Sequence, residues 1–181
     1  MAWQIDPSHS QIMFSVRHMM MTNVHGNFDK FSGTVDFDEK NLEHAEIDVT
    51  VDPTSINTHD ERRDSHLKSP EFFDVAQFPT ITFKSKSITL SGHNQGRVTG
   101  DLTIKGITHE VMLETALVGI MKNPFRGTSA GFNAHAKVNR KDWGLNWNVA
   151  LEAGGWLVGD EITLNLEVEL VQTPEQVTAT A

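Results

Sequence analysis

Residues 45–52 read AEIDVTVD, and this stretch decides the fold class of the chain. Apolar side chains occupy every second position, and acidic or hydroxyl side chains occupy the positions between them. A β-strand points successive side chains to opposite faces, so this alternation predicts a strand with one buried face and one solvated face. Residues 11–18, 31–37 and 162–170 repeat the same period of two. The chain is therefore predicted to be built mainly from β-strands.

Short turns separate about eight such strands, and no repeat or linker interrupts them. Asp38–Asn41, Ser91–Gly96 and Lys105–Gly106 have the composition of turns between neighbouring strands. Gly33 and Gly100 lie inside strands, where glycine marks a bend or a close approach of the backbone, and this favours a closed sheet. We therefore predict an all-β fold, an antiparallel barrel of about eight strands, which can be filled by side chains or can enclose one small ligand.

Residues 59–74 read HDERRDSHLKSPEFFD and depart from the strand pattern. The charged first half predicts a short helix, with Thr58 as its N-cap and Glu61 completing a capping box. Pro70 ends the helix, because the residue before a proline is excluded from the α region. The Phe72–Phe73 pair then places two large rings in a loop, which is costly unless they cover apolar surface. We interpret this segment as a helical lid on the barrel.

Composition excludes several classes of function. The chain has a formal net charge of −9, with the acidic residues scattered along it as on a solvated surface. Nucleic acids and anionic membranes attract cationic faces, so the overall charge disfavours both as partners. Cysteine is absent, which excludes disulfides, thiol catalysis and cysteine metal sites.

The length of 181 residues fits one domain with a sizeable core. We assign residues 1–172 to the barrel domain and residues 173–181 to a polar C-terminal tail. No apolar run is long enough to span a bilayer, so no transmembrane segment is expected. The first residues, MAWQID, lack the basic start and apolar core of a signal peptide. We therefore expect a cytoplasmic location, or a periplasmic one if a signal has been removed.

Six motifs are spread along the chain in a fixed order. They are WQIDPSHS at 3–10, RDSHL at 63–67, FFD at 72–74, FPTITF at 78–83, GDLTIKGIT at 100–108 and NRKDWG at 139–144. In order and spacing they resemble the YceI family over about residues 3–171. The resemblance implies an extended lipocalin-like antiparallel barrel whose long apolar cavity binds polyisoprenoid or other amphiphilic lipids. It also implies frequent homodimers, and many relatives are periplasmic.

One face of each strand would line this cavity, together with aromatic residues of the loops. The predicted ligand-binding residues are Ile12, Phe14, Val16, Phe31, Val35, Ile47, Val49, Phe72, Phe73, Ile81, Phe83, Leu102, Ile104, Leu113, Phe132, Ala134 and Trp143. A fully packed core would use the same apolar residues, and the pattern alone does not separate the two. The resemblance favours the cavity. The predicted ligand is then a long-chain lipid, isoprenoid-like, quinone-like or fatty-acid-like.

Charged residues of the lid and of the 139–144 turn have two interpretations. Arg63, His66 and Arg140 would bind a lipid head-group, since an arginine fork suits an anion. Alternatively, a network centred on Arg63 and Asp64 ties the helix to the barrel, and we favour this structural interpretation because such charges are often structural.

We expect no metal, cofactor or catalytic residues. His59 and His66 could share a helix face, but further zinc ligands at suitable spacing are missing. Ser8, His9 and Ser10 are neighbours, and neighbours on a strand point to opposite faces. No nucleophile elbow, phosphate loop or dinucleotide motif occurs. The function expected is non-covalent lipid binding, storage or transport. The alternatives are a hydrolase or isomerase acting on a similar lipid, and a packed barrel that serves as a protein-interaction module.

Overall fold

A computed structural model describes residues 2–172 of the chain. The predicted tail, residues 173–181, lies outside this range. The strands run, in chain order, over β1 Ala2–Ile5, β2 Gln11–His18, β3 Thr22–Phe28, β4 Phe31–Asp36, β5 Glu46–Val51, β6 Ile56–Asn57, β7 Ile81–Leu90, β8 Gln95–Ile104, β9 Ile107–Asn123, β10 Gly127–Asn139 and β11 Val158–Gln172. The helices are α1 Glu61–Lys68 and the 3-10 turns Pro7–His9, Leu42–His44, Pro53–Ser55 and Arg140–Trp143. Within the described range, no helix is long and apolar enough to cross a bilayer.

Eight of the strands close into a ring. Each pairs with the next in the order β1, β4, β5, β7, β8, β9, β10, β11, and β11 pairs back with β1. Every pairing is antiparallel. The predicted eight-stranded antiparallel barrel with one short helix is confirmed.

The remaining strands prolong three strands of the ring beyond one of its ends. Residues 170–172 of β11 pair with β1, and residues 158–167 of β11 pair with β2, so β1 and β2 follow one line. In the same way β3, which pairs with β2, continues the line of β4, which pairs with β1. Next to them β6, which pairs with β3, continues the line of β5, which pairs with β4. At this end β6 pairs with β3 and not with β7. The lid, residues 59–74, packs against β6 and β3 here, and we call this the lid end of the barrel.

Two apolar clusters pack the two ends. Trp3, Val35, Phe37, Ala130 and Leu170 form the cluster of the far end, where the Trp3 and Phe37 rings stack 4.8 Å apart. The cluster of the lid end contains Phe28, Phe31, Val51, Ile56 and Ile81, with Leu67 and Phe73 of the lid packed against it. Burial of these side chains holds the lid to the barrel.

Gly100 shows why glycine occurs inside a strand. A methyl group added at Gly100 would lie 2.5 Å from the Phe83 ring and from the Lys84 carbonyl oxygen. The missing side chain therefore lets the Phe83 ring cross the neighbouring strand on the inside of the bent sheet.

The N-cap of α1 differs from the prediction. The Asp60 carboxylate accepts hydrogen bonds from the Arg62 and Arg63 amides, both at 3.0 Å. These bonds hold the pKa of Asp60 below its ordinary value. The prediction of Thr58 as the cap was wrong, because its hydroxyl donates a 2.5 Å hydrogen bond to the Asp64 carboxylate instead. The predicted helix end is correct, since α1 stops at Lys68 before an extended residue and Pro70.

Replacing the observed cap should weaken the lid. We expect Asp60→Ala to lower Tm by about 3 °C, because two first-turn amides lose their acceptor. Ser65→Ala, at an exposed position in the same helix, is the matched control and should leave Tm unchanged or raise it slightly, because alanine favours the helix. Thermal unfolding followed by circular dichroism measures both. Equal Tm values for the two variants would contradict the assignment of Asp60 as the cap.

Candidate functional site

A cavity of about 620 Å³ runs along the inside of the barrel. Along each strand every second side chain points into the cavity, as in Ile12, Phe14 and Val16 of β2. All the predicted apolar residues line this cavity except Phe31. Phe31 is instead 9% exposed and packed in the cluster of the lid end. The sequence pattern could not separate a wall residue from a packed one on the same face.

The chemistry of the wall changes along the barrel axis. The middle is formed by aliphatic and aromatic side chains such as Val98, Leu113 and Leu164. Polar lining residues gather at the two ends. His93, Asn94 and Gln95 lie at the far end, and Arg17, His18, Arg62, Arg63 and His66 lie at the lid end. The cavity therefore suits a molecule with a long apolar body and a polar terminus.

The aromatic residues of the lid, Phe72 and Phe73, line the cavity. Phe72 is 7% exposed, and its ring centroid lies 5.0 Å from that of His66 and 5.5 Å from that of Trp147. The Phe73 ring makes an edge contact with Phe28 at 6.0 Å. Trp147 therefore packs against the lid, and the sequence analysis missed it. It lies in a loop whose residues show no periodic pattern that would have indicated this contact.

Arg63 takes part in the structural network that the sequence analysis favoured. Its Nε donates to the Thr58 hydroxyl and its Nη2 to the Thr58 carbonyl, both at 2.8 Å. The Asp64 carboxylate accepts from the Thr58 amide at 2.9 Å and from the Thr58 hydroxyl at 2.5 Å. Both charged residues therefore bind β6 to α1, and the binding of a head-group by Arg63 stays a prediction.

Arg140 is buried with its donors in use. The side chain is 3% exposed, and it donates to the carbonyl oxygens of Leu145, Trp147, Val158 and Gly159 at 2.5 to 3.5 Å. Burial lowers the pKa of its guanidinium, and Asp160, 3.6 Å away, counters that effect. Arg140 lines the cavity, and its N–H groups bind the backbone of the loop after β10. The binding of a head-group by Arg140 stays a prediction.

The polar residues that remain available at the lid end differ partly from the predicted set. His66 pairs with Glu71 at the edge of α1. Within residues 2–172, the Arg62 guanidinium has no ion pair or hydrogen bond, and it lines the cavity. His18 shares the inward parity of Phe14 and Val16, a signal that the sequence analysis did not follow.

Comparison with known proteins agrees with this architecture. The family model of the YceI-like domain matches residues 3–170. A UPF0312 protein of Staphylococcus aureus (strain N315) is 39% identical over 165 residues, which cover 91% of this chain and 94% of that protein. The chain belongs to the YceI family. The resemblance carried by the six sequence motifs is confirmed.

Solved structures share the barrel of this YceI-family chain. A Campylobacter jejuni YCEI protein is 31% identical, with a TM-score of 0.75 over 87% of this chain and 90% of that one. A polyisoprenoid binding domain from Saccharophagus degradans, implicated in plant cell wall breakdown, is 13% identical. Its TM-score is 0.69 over 94% of this chain and 98% of that one, which shows a common fold.

The WQIDPSHS motif of the YceI chain forms a polar cluster outside the cavity. The Asp6 carboxylate accepts from the Ser8 hydroxyl at 2.6 Å and pairs with His9 Nδ1 at 2.8 Å. A catalytic relay places the imidazole between the serine and the carboxylate. Here Asp6 binds both partners, so this arrangement lacks the geometry of a relay.

The same cluster contains side chains that could bind a cation. Ligand atoms of Asp6, His9 and Glu169 lie within 4.8 Å of one another. Arg126 Nη1 lies 2.6 Å from the Asp6 carboxylate and 3.2 Å from His9 Nδ1. The guanidinium therefore supplies positive charge at this position, and it ties the β9–β10 hairpin to the turn after β1.

Hydrogen bonds from Ser8 and His9 lower the pKa of Asp6 from 3.8 to about 2. Because the pKa is lower in the folded protein, the ionised carboxylate stabilises the fold above about pH 4, and this stabilisation disappears as the pH falls toward 2. We expect Asp6→Asn to reduce the free energy of unfolding at pH 7 by on the order of 2 kcal/mol. The difference from wild type should close between about pH 4 and pH 2.

Denaturant unfolding over a pH series measures this difference. Asp38→Asn is the control, because Asp38 lies in an exposed turn and accepts only a local amide bond at 3.0 Å. A difference for Asp6→Asn that stays constant from pH 7 to pH 2 would contradict the proposed role of the charged carboxylate.

Proposed function

We propose that the chain binds a long-chain amphiphilic lipid non-covalently in the barrel cavity and stores or transports it. An isoprenoid or an isoprenoid quinone fits this class best. The observation that carries the proposal is the continuous apolar wall of the 620 Å³ cavity, with polar residues at its two ends. A solved relative of the same fold is a polyisoprenoid binding domain, and this supports the same class of ligand.

An apolar wall is sufficient for affinity. Burial of hydrocarbon contributes about 0.8 kcal/mol per CH₂ group, so ten such groups contribute about 8 kcal/mol before the cost of association is subtracted. The cavity volume is in the range of sites that enclose small ligands. Specific polar contacts are then needed only for the head-group.

We infer that the head-group binds at the lid end. Arg17, His18, Arg62 and His66 line this end, and Arg62 has a free guanidinium among the described residues. Such donors suit an oxygen-rich head-group such as a phosphate or a quinone. Arg63 and Arg140 of the predicted head-group set would act indirectly, by holding α1 and the loop after β10 in place.

The lid must move for the lipid to enter, and its aromatic pair should control exchange. We expect Phe72→Ala/Phe73→Ala to shorten the retention of a fluorescent polyprenyl lipid at least about tenfold, because two rings that cover apolar surface are lost. Phe78→Ala is the control, since Phe78 packs on Gly106 and does not line the cavity. Circular dichroism should show a folded barrel in both variants. Unchanged retention in the double variant would contradict the lid.

Filling the cavity from inside should block binding. Leu113 lines the cavity, whereas its neighbour Met112 is 54% exposed on the outer face of β9. We expect Leu113→Trp to reduce the amount of bound lipid several-fold, and Met112→Trp to leave it unchanged, because adjacent strand residues face opposite sides. Lipid binding measured with a fluorescent polyprenyl probe compares them. Equal lipid binding by both variants would contradict a site inside the barrel.

Native mass spectrometry of freshly purified protein, followed by solvent extraction, tests the function itself. A discrete adduct that extracts as a polyprenyl or quinone-type molecule is the expected result. A product formed by turnover of an added lipid would indicate the hydrolase or isomerase alternative. Protein that carries no lipid and takes up none would indicate an interaction module.

Homodimerisation, which rests on the family resemblance, and a cytoplasmic location also belong to this proposal. Sedimentation velocity of the purified chain measures the first, and fractionation of cells that express it measures the second. A monomer would contradict homodimerisation, and protein recovered outside the cytoplasm would contradict the cytoplasmic location.

A further inference from the structure

The β2–β3 hairpin ends in three exposed methionines. Met19, Met20 and Met21 are 39%, 63% and 69% exposed. Met19 and Met20 have φ angles of 51° and 60°, in the left-handed region that favours glycine and asparagine. A turn that only joined two strands would use Asn-Gly at these positions. Large apolar side chains held there in strained backbone indicate a functional constraint.

A second loop extends this apolar surface. Val149 and Trp156 are 45% and 56% exposed, and Trp156 forms a bridge with Ala150. The bare backbone of Gly155 leaves room for the sulfur of Met20. In addition, the Met19 amide donates to the Leu157 carbonyl at 2.8 Å. We call the surface formed by Met19–Met21, Val149 and Trp156 the apolar tip.

The apolar tip borders the cavity at the lid end. Arg17 and His18 directly precede Met19, Leu157 directly follows Trp156, and all three line the cavity. A molecule that leaves the cavity between β2 and the lid would therefore pass along the tip.

The charges around the tip differ from those of the chain as a whole. The chain has a net charge of −9, yet Arg17 and Arg62 line this end, and within residues 2–172 neither forms an ion pair. Glu152 is the acidic residue between Val149 and Trp156, and Asp160 is paired with Lys141 at 3.3 Å. On the lid, Asp60 and Glu61 directly precede Arg62. The local charge is thus compatible with the phosphates of lipid head-groups, although the overall charge is not.

We propose that the apolar tip inserts into the surface of a lipid bilayer and brings the lid end of the cavity against the membrane. The proposal rests on the proposed function, because a long-chain lipid resides in bilayers and has to be exchanged there. Methionine side chains adapt to a fluid surface, and tryptophan is favoured at the membrane–water interface. Exposed apolar patches beside a binding site are typical of such contacts.

Sedimentation with phosphatidylcholine vesicles that contain one fifth phosphatidylglycerol tests the insertion directly. We expect Met20→Ser/Met21→Ser/Trp156→Ser to reduce the vesicle-bound fraction at least about fivefold, because the inserted apolar area is lost. Val118→Ser/Met121→Ser/Phe125→Ser is the matched control. These residues are 67%, 75% and 93% exposed, and they lie near the opposite end of β11. The control variant should bind vesicles as wild type does.

A second variant separates loss of binding from loss of folding. Met19→Asn/Met20→Gly places the preferred residues in the turn, so it should raise Tm and still weaken vesicle binding. Wild type that fails to sediment with vesicles overturns the proposal, and so does an equal loss in the far-end control. A wild-type dimer that becomes monomeric in the tip variant would assign this surface to a second copy of the chain and would also overturn it.

Lipid delivered from detergent micelles distinguishes failure of the tip from failure of the cavity. The tip variant should load from micelles as wild type does and should load slowly from vesicles. If the wild-type protein takes up lipid from neither micelles nor vesicles, the lipid-binding function is contradicted. In that case the sedimentation of the wild-type protein with vesicles still tests the docking proposal. Loading of the tip variant from vesicles at the wild-type rate overturns the docking proposal alone.

Discussion

The pairing of β11 with β1 is the constraint on which the rest of the structure depends. These are the last and the first strands within residues 2–172, and their three-residue register closes the sheet into a ring. Closure satisfies the backbone hydrogen bonds of both edges and leaves the interior to side chains alone. With eight strands, the interior is wide enough for a ligand as well as for those side chains. The cavity thus results from the number of strands and from the apolar residues at every second position of each strand.

Closure is complete along only part of the barrel, and this divides the molecule into two ends. At the far end, the stacked Trp3 and Phe37 rings fill the interior. At the lid end, β2, β3 and β6 prolong the wall beyond the ring, and α1, which contains no buried residue, packs against β6. That helix is held by the Thr58–Arg63–Asp64 hydrogen bonds and by the apolar contacts of Leu67.

Two arginines show how the same side chain serves different purposes in one protein. Arg140 is enclosed by carbonyl oxygens, which compensate for the removal of its charge from water. Arg126 instead lies at the surface and neutralises Asp6, a contact between residues that are 120 positions apart. Both contacts stabilise loops around the barrel. Arg62 instead lines the cavity without an ion pair or hydrogen bond within residues 2–172, and it is the cation that we propose for the head-group.

The sequence by itself determined the fold class, the family and most of the inward-facing residues. Period-two alternation is local, so residues 45–52 indicate a strand whatever surrounds them, and the glycines at 33 and 100 indicate a bent sheet. Ligand contact by the inward-facing residues remains a prediction. Only the tertiary structure decided which inward residues border open space, because Phe31 and Phe14 share a pattern and differ in what lies opposite them. It also decided that Asp60 caps the helix and that backbone carbonyls surround the Arg140 guanidinium. These contacts depend on partners that folding brings together from distant or differently oriented parts of the chain.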